Sequence, residues 1–189
     1  MKRIAILASG SGTNAENIIN YFKNSDLISV TLVLSNKKDA KVLERSTNLG
    51  ISNRNFDKND FIDTDVVLNL LKAQADYIIL AGFLLKIPKK MIEAFPNKII
   101  NIHPALLPKY GGKGMFGMQV HNAVVENREK QTGITIHYVN ENYDEGAIIF
   151  QKSFEILESD TAEDVAQKIH LLEYEFFPKI IEKLIIENG

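Results

Sequence analysis

Short runs rich in apolar residues constrain the fold of this chain more than any other feature. They cover residues 4–7, 30–34, 77–80 and 99–102. Such runs are typical of strands buried on both faces of a parallel sheet. Between them lie stretches with helical periodicity, at 15–22, 39–49 (with Asp39 as N-cap and Gly50 as stop), 61–72 and 88–95. Alternating strands and helices predict an α/β fold with a Rossmann-like, mostly parallel sheet and helices on both faces.

The pattern changes near the C-terminal end. Residues 133–139 alternate apolar and polar side chains, an acidic turn follows at 140–146, and a second strand is expected at 147–154. So short a connection predicts an antiparallel hairpin. The remaining residues form either one long helix or a pair broken at Pro178. No linker divides the 189 residues, so we expect a single domain over 1–189.

The composition excludes several classes of function. The net charge is −2 and the chain has no cysteine, which argues against nucleic-acid or anionic-membrane partners and excludes disulfide or thiolate chemistry. The apolar run before Ser9 is too short for a secretory signal, and the run from Tyr77 to Leu85 is about half of what spans a bilayer. We expect a soluble, cytoplasmic protein.

A glycine-rich turn follows the first strand. Gly10-Ser11-Gly12-Thr13-Asn14 lies between that strand and a helix, a geometry that directs backbone N–H groups at an anion. The third glycine of the dinucleotide fingerprint is missing, and no acidic residue immediately follows the second strand, which favours a monophosphate over NAD. The alternative is a tight turn that merely requires glycine.

Polar residues end the run at 99–102. Asn101 and His103 share one face of the strand, and Pro104 stops it. An amide can stabilise an oxyanion and an imidazole can move protons near neutral pH. Asp144 either orients this histidine or is a solvated acid in a turn. No Ser or Cys nucleophile accompanies them, which favours direct acyl transfer.

The spacing of the histidines and a second glycine-rich segment bear on the site as well. The four histidines are scattered without metal-ligand spacing, so we expect no metal. The segment 109–117 contains four glycines and is expected to be a surface loop, either a lid over the site or slack in the connection.

The decamer Asn101-Ile-His-Pro-Ala-Leu-Leu-Pro-Lys-Tyr110 resembles the signature of the folate-dependent formyltransferases. Further motifs resemble the subfamily that acts on glycinamide ribonucleotide; they are Gly10–Asn14, Leu34–Lys37, Ala81–Phe83 and Asp144–Gly146. The resemblance implies transfer of a formyl group from 10-formyltetrahydrofolate, the co-substrate, to the amine of glycinamide ribonucleotide in de novo purine biosynthesis. Both substrates are small molecules, and the oligomeric state stays open.

The resemblance also implies roles for individual residues. Asn101, His103 and Asp144 would be catalytic. Gly12, Thr13, Asn14, His170 and Glu173 would bind the ribonucleotide. Leu84, Leu85, Lys86 and Ile87 would bind the folate together with Asn101, and His137 would support the site. For His170 a solvated helix face, and for Leu84–Ile87 plain core packing, remain alternatives.

Three other functions stay open at this point. The first is a sibling enzyme that formylates an amino sugar nucleotide or hydrolyses the formyl group. The second is a non-catalytic nucleotide-binding module. The third is an NAD dehydrogenase, although its fingerprint is incomplete.

Overall fold

A computed structural model describes residues 1–187 of the chain; positions 188 and 189, which the expected domain includes, lie outside the described residues. Its centre is a seven-stranded sheet with the order β3-β2-β1-β4-β5-β6-β7. The strands are β1 Lys2–Leu7, β2 Ile28–Ser35, β3 Asn53–Asn55, β4 Tyr77–Leu80, β5 Ile99–His103, β6 Gln131–Tyr138 and β7 Ile148–Glu155. The first five are parallel, while β6 and β7 are antiparallel to their neighbours. The predicted α/β fold with its C-terminal hairpin is confirmed.

Helices cover both faces of the sheet. They are α1 Thr13–Phe22, α2 Lys41–Asn48, α3 Lys58–Ile62, α4 Val66–Gln74, α5 Lys89–Ala94, α6 Met118–Glu126 and α7 Ala162–Glu187. Alternate residues of β1 show how the strands serve both faces: Ile4 and Ile6 pack with α1 and α7, whereas Ala5 and Leu7 pack with α4 and α5. This explains why β1 and β4 contain only apolar residues in their central parts.

Two local predictions were wrong. Ala40, not Asp39, is the N-cap of α2, and its side chain makes no capping hydrogen bond. The predicted helix over 61–72 is two helices, because the chain turns at 63–65 and the Thr64 hydroxyl accepts from the Val66 N–H.

The last helix runs through Pro178 without a break. Proline has no N–H, so the carbonyl of Tyr174, four residues earlier, loses its usual helical donor. In this structure the side-chain amide of Asn17 on α1 donates to that carbonyl at 2.9 Å. A contact between helices therefore replaces the missing bond and keeps α7 continuous.

The order of the strands determines where a ligand can bind. The sheet grows outward from β1 in one direction and from β4 in the other, which leaves a crevice at their carboxyl ends. The connections after β1, β4 and β5 all enter this crevice. Within residues 1–187, no helix combines the length and the apolarity that crossing a bilayer requires.

Candidate active site

A cleft of about 580 Å³ occupies the crevice at the carboxyl ends of β1, β4 and β5. Its walls include most residues that the sequence had singled out. They are Gly12, Thr13, Asn14, Leu84, Asn101, His103, Asp144, His170 and Glu173. The three predicted catalytic side chains and the five predicted ribonucleotide-binding residues therefore line one cavity.

His103 is the most constrained side chain of this cleft. It is 4% exposed, and its Nε2–H donates to the carbonyl oxygen of Tyr110 at 2.7 Å. Because a carbonyl can only accept, Nε2 carries a proton. Nδ1 lies 3.6 Å from Oδ2 of Asp144, longer than a hydrogen bond but close enough for strong attraction once the ring is charged. The ring therefore exchanges its proton at Nδ1.

Burial and charge act in opposite directions on His103. Burial lowers the pKa of the imidazole, and the Asp144 carboxylate with the Tyr110 carbonyl only partly offsets that effect, so the pKa lies below its ordinary value. The resting ring is therefore neutral at pH 7. A proton that arrives at Nδ1 is stabilised by the neighbouring carboxylate.

Asp144 stays ionised although it is largely buried. Burial raises the pKa of this carboxyl, but His137, the charge of His103 and the Gly112 N–H together outweigh burial and lower it below the ordinary value. The Gly112 N–H donates to Oδ2 at 3.0 Å. Asp144 has a left-handed backbone with φ 56°, uncommon for a residue with a side chain, as often found at functional sites.

Asn101 is oriented by the neighbouring strand. The antiparallel register of β5 and β6 places it opposite His137, whose Nδ1–H donates to the Tyr138 carbonyl at 2.9 Å. The other ring nitrogen, Nε2, lies 3.0 Å from the Asn101 amide nitrogen, which donates to it. The second amide hydrogen faces Asp144 at a long 3.4 Å. That N–H is the one available to a ligand oxygen.

The glycine-rich turn forms an open helix start. Gly12 is the N-cap of α1 with φ 76°, and no side chain caps this end of the helix. A Cβ at Gly12 would lie 2.5 Å from the Val42 side chain, so the turn requires glycine for both conformation and space. The uncapped N–H groups of α1 face the cleft and can accept an anion.

Glu173 connects α7 with this turn. It is 5% exposed, and its Oε2 accepts from the Asn14 amide and from His170 Nδ1, both at 2.9 Å. The hydrogen bond to Glu173 raises the pKa of His170, which makes this imidazole a partial cation near neutral pH. Asn14 Oδ1 is buried and has no hydrogen-bond partner within the described chain. A ligand donor would satisfy this acceptor.

The predicted folate-binding segment reaches the cleft at one residue. Leu84 is 37% exposed and lines the cavity, and its N–H donates to the Ser9 hydroxyl at 3.0 Å. Leu85 and Ile87 pack into the core beneath, and Lys86 is exposed away from the cavity wall. Contacts of Leu85 or Ile87 with a ligand in this cleft would use main-chain groups, because both side chains pack into the core.

Sequence reasoning missed several residues of the wall. They include Phe83, Phe116, His121 and Tyr143. Phe83 is the last residue of a recognised motif, and Tyr143 directly precedes another, so their positions in the sequence were the available signal. His121 gave none: it is 3% exposed, burial lowers its pKa, and its Nδ1 has no partner among residues 1–187. In the same part of the chain, no group of three or more His, Cys, Asp or Glu residues is placed to hold a metal ion.

Known proteins resemble this chain over nearly its whole length. Residues 2–181 match the family described as formyl transferase. The phosphoribosylglycinamide formyltransferase of Bacillus subtilis is 36% identical over 195 residues, covering all of this chain and 97% of that protein. The chloroplastic phosphoribosylglycinamide formyltransferase of Arabidopsis thaliana is also 36% identical and covers 99% of this chain, which spans 66% of the plant protein.

Solved structures give the same result. The crystal structure of phosphoribosylglycinamide formyltransferase from Bacillus halodurans is 36% identical, with a TM-score of 0.87 and coverage of 100% of this chain and 97% of its own. The family match over residues 2–181 spans every strand of the sheet and all residues that line the cleft. The chain belongs to the formyl transferase family.

Proposed function

We propose that this chain transfers the formyl group of 10-formyltetrahydrofolate to the amine of glycinamide ribonucleotide. The products are formylglycinamide ribonucleotide and tetrahydrofolate, and the reaction belongs to de novo purine biosynthesis. The observation that carries the proposal is the meeting of Asn101, His103 and Asp144 in one cleft that also contains an open anion-binding turn. The names of the bacterial and plant relatives support the choice of substrates.

The chemistry begins at the carbonyl carbon of the formyl group. The substrate amine attacks this carbon, a C–N bond forms, and the carbonyl oxygen becomes an oxyanion. Asn101 donates its second amide N–H to that oxygen, because His137 already holds the first. One such donor is worth roughly a hundred- to a thousandfold in rate.

Proton transfer falls to His103 and Asp144. When the oxyanion reverts to a carbonyl, the bond between the formyl carbon and the folate nitrogen breaks. The amine must lose a proton and this folate nitrogen must gain one, so the pair takes the proton from the amine and passes it to the folate nitrogen. His103 exchanges its proton at Nδ1, which faces the ionised Asp144. At the end of the reaction both side chains have their initial protonation states. Acid–base catalysis of this kind raises the rate on the order of a hundred- to ten-thousandfold.

The ribonucleotide is held at the other end of the cleft. Its phosphate lies on the N–H groups of Gly12, Thr13 and Asn14 at the start of α1, near the partly cationic His170. Glu173 accepts from the remaining donors of the ligand while it positions Asn14. Binding energy from these remote groups lowers the barrier at the reacting carbon.

The folate pterin lies against the segment Leu84–Ile87. Leu84 contributes its exposed side chain, whereas Leu85, Lys86 and Ile87 contribute backbone groups. Ser9 fixes the position of this segment because its hydroxyl accepts the Leu84 N–H. The same hydroxyl donates to Asn36 at 2.6 Å, so both of its hydrogen-bonding functions are used.

The proposed function also concerns the domain organisation, the cellular location and the partners of the chain. Residues 1–189 act as one formyltransferase domain, supported by the single sheet that carries both core clusters. The enzyme works in the cytoplasm on two small-molecule substrates, without metal, nucleic-acid or membrane partners. The net charge of −2 supports the last two points.

An acceptor comparison tests the proposal. The purified protein is incubated with 10-formyltetrahydrofolate and with glycinamide ribonucleotide, an amino sugar nucleotide or no acceptor, and tetrahydrofolate and formylated product are measured. We expect tetrahydrofolate and formylglycinamide ribonucleotide in equal amounts, and only with glycinamide ribonucleotide. Turnover with the sugar nucleotide alone, formate release without an acceptor, or binding without turnover would each contradict the proposal.

A further inference from the structure

The charges in the wall of the cleft are unbalanced. Glu173 and the ionised Asp144 place two carboxylates in it, and His170 supplies a partial positive charge already shared with Glu173. Among the wall residues of the described chain, Lys113 is the only Lys or Arg. A phosphate monoester carries close to two negative charges at neutral pH, so binding beside two carboxylates requires a cation.

Lys113 has no partner among the residues that the structure describes. Within residues 1–187 its ammonium makes no hydrogen bond or ion pair, and the residue is exposed. Lys109, on the same connection, is by contrast paired with Glu129 at 2.8 Å. Lys113 thus lines a cleft with two carboxylates but pairs with neither of them, and within residues 1–187 it is a cation without a partner.

The backbone around Lys113 is anchored at one side. Gly112, the preceding residue, donates its N–H to Asp144 at 3.0 Å. Gly112 and Gly114 both adopt left-handed conformations, with φ 93° and 92°, and neither has a neighbour where a Cβ would stand. Lys113 therefore lies on an open Gly-Lys-Gly segment that begins beside the catalytic carboxylate, and within the described residues its ammonium makes no ion pair with that carboxylate.

We propose that Lys113 binds the phosphate of the ribonucleotide, opposite the N–H groups of Gly12–Asn14. This assignment rests on the proposed function and deepens it by naming a residue that recognises the anionic substrate. A folate carboxylate has related chemistry, but one carboxylate carries about half the charge of the phosphate, and the α1 terminus already provides a phosphate-binding geometry in this cleft. Lys113 is thus a binding residue, not an acid or base.

Removing the charge while keeping the side-chain length tests the assignment. We expect Lys113→Met to raise KM for glycinamide ribonucleotide about tenfold, because the variant loses one charge-assisted hydrogen bond to the phosphate. The values of kcat and of KM for formyl-folate should stay within about twofold of the wild type. Lys113→Arg restores KM, because it restores the charge. Lys109→Met, on the same connection but outside the cleft wall, leaves all three constants within about twofold. The thermal midpoints of all variants are measured in parallel to exclude a folding defect.

Equilibrium binding separates this inference from the proposed function. Calorimetric titration of wild type and Lys113→Met with glycinamide ribonucleotide gives a Kd ratio that needs no turnover, and about tenfold weaker binding is expected. Binding of the wild type without turnover would overturn the proposed function and leave the Kd ratio to decide on Lys113. Four results would overturn the assignment of Lys113. The first two are an unchanged KM and Kd for the ribonucleotide, and a rise in KM for formyl-folate alone. The others are a loss confined to kcat, and no binding of the ribonucleotide to the wild type.

Discussion

The two ends of the cleft are built in different ways. The transfer end, which consists of Asn101, His103 and Asp144, lies on β5 and on the turn after β6. The ribonucleotide end, which consists of Gly12–Asn14, His170 and Glu173, lies between α1 and α7. At the transfer end the His103 side chain is 5% exposed, whereas the His170 side chain at the ribonucleotide end is 51% exposed.

This difference separates catalysis from binding. Main-chain carbonyls fix the two buried imidazoles of His103 and His137, so the transfer end is held in place before a substrate arrives. Preorganised groups of this kind stabilise a transition state more than a ground state. The ribonucleotide end presents free N–H groups and a partial cation, which hold an anion equally in both states. Substitutions at the first end should therefore change kcat, and substitutions at the second should change KM.

The largest expected effect comes from His103→Ala. It removes the group that carries the migrating proton, so we expect kcat to fall by about a thousand- to ten-thousandfold, with KM for glycinamide ribonucleotide within about threefold. Steady-state kinetics with the ribonucleotide varied at saturating formyl-folate measures both. A rise in KM as large as the fall in kcat would show that the two ends are not separate.

A smaller effect is expected from Glu173→Gln at the ribonucleotide end. The change removes a buried charge that holds Asn14 and His170, so we expect KM for the ribonucleotide to rise about ten- to a hundredfold while kcat falls less than tenfold. Glu175→Gln, on the exposed face of the same helix, is the matched control and should change neither constant. A kcat loss without a change in KM would break the comparison.

The smallest effect is the pH dependence of ribonucleotide binding. The hydrogen bond to Glu173 raises the pKa of His170, so this imidazole is a cation at low pH and loses its charge as pH rises through that pKa. We expect KM for the ribonucleotide to rise a fewfold over the pH range in which His170 loses its proton. The measurement is made above about pH 6, where the second ionisation of the phosphate occurs. The stabilisation from the His170–Glu173 pair is lost over the same interval.

A variant removes this pH dependence. His170→Gln keeps a hydrogen-bond donor but cannot titrate, so its KM should stay constant across the interval in which the wild-type value changes. Kinetics at pH values on both sides of the usual histidine range measure the difference. If the variant retains the wild-type pH profile, another group controls binding.

The regular parts of the fold were predictable because they depend on local pattern. The run Tyr77–Leu80 coincides with β4, since four apolar residues buried on both faces leave one interpretation. The continuity of α7 across Pro178 was not decidable, because it depends on a bond from Asn17, which lies 157 residues from Tyr174. The break between α3 and α4 depends on a short polar turn with strong apolar periodicity on both sides.

The site shows the same division between local and distant information. Asn101 and His103 could be identified because they are two residues apart on one strand. The opposition of Asn101 and His137 depends on the β5–β6 register, which joins residues 36 apart. The place of His121 in the cleft depends on the packing of α6, and its sequence surroundings carry no motif. Resemblance to a family supplied what geometry could not, namely the identity of the substrates.

The pairing of His103 with Asp144 is the central claim, and a double-mutant cycle on kcat tests it most directly. Each of His103→Ala and Asp144→Asn should lower kcat strongly, because the carboxylate stabilises the imidazolium that forms when His103 takes up the proton. If they act as a unit, the double variant loses no more than about tenfold beyond the worse single variant. Losses that multiply in full would show that the two side chains act independently and would contradict the account.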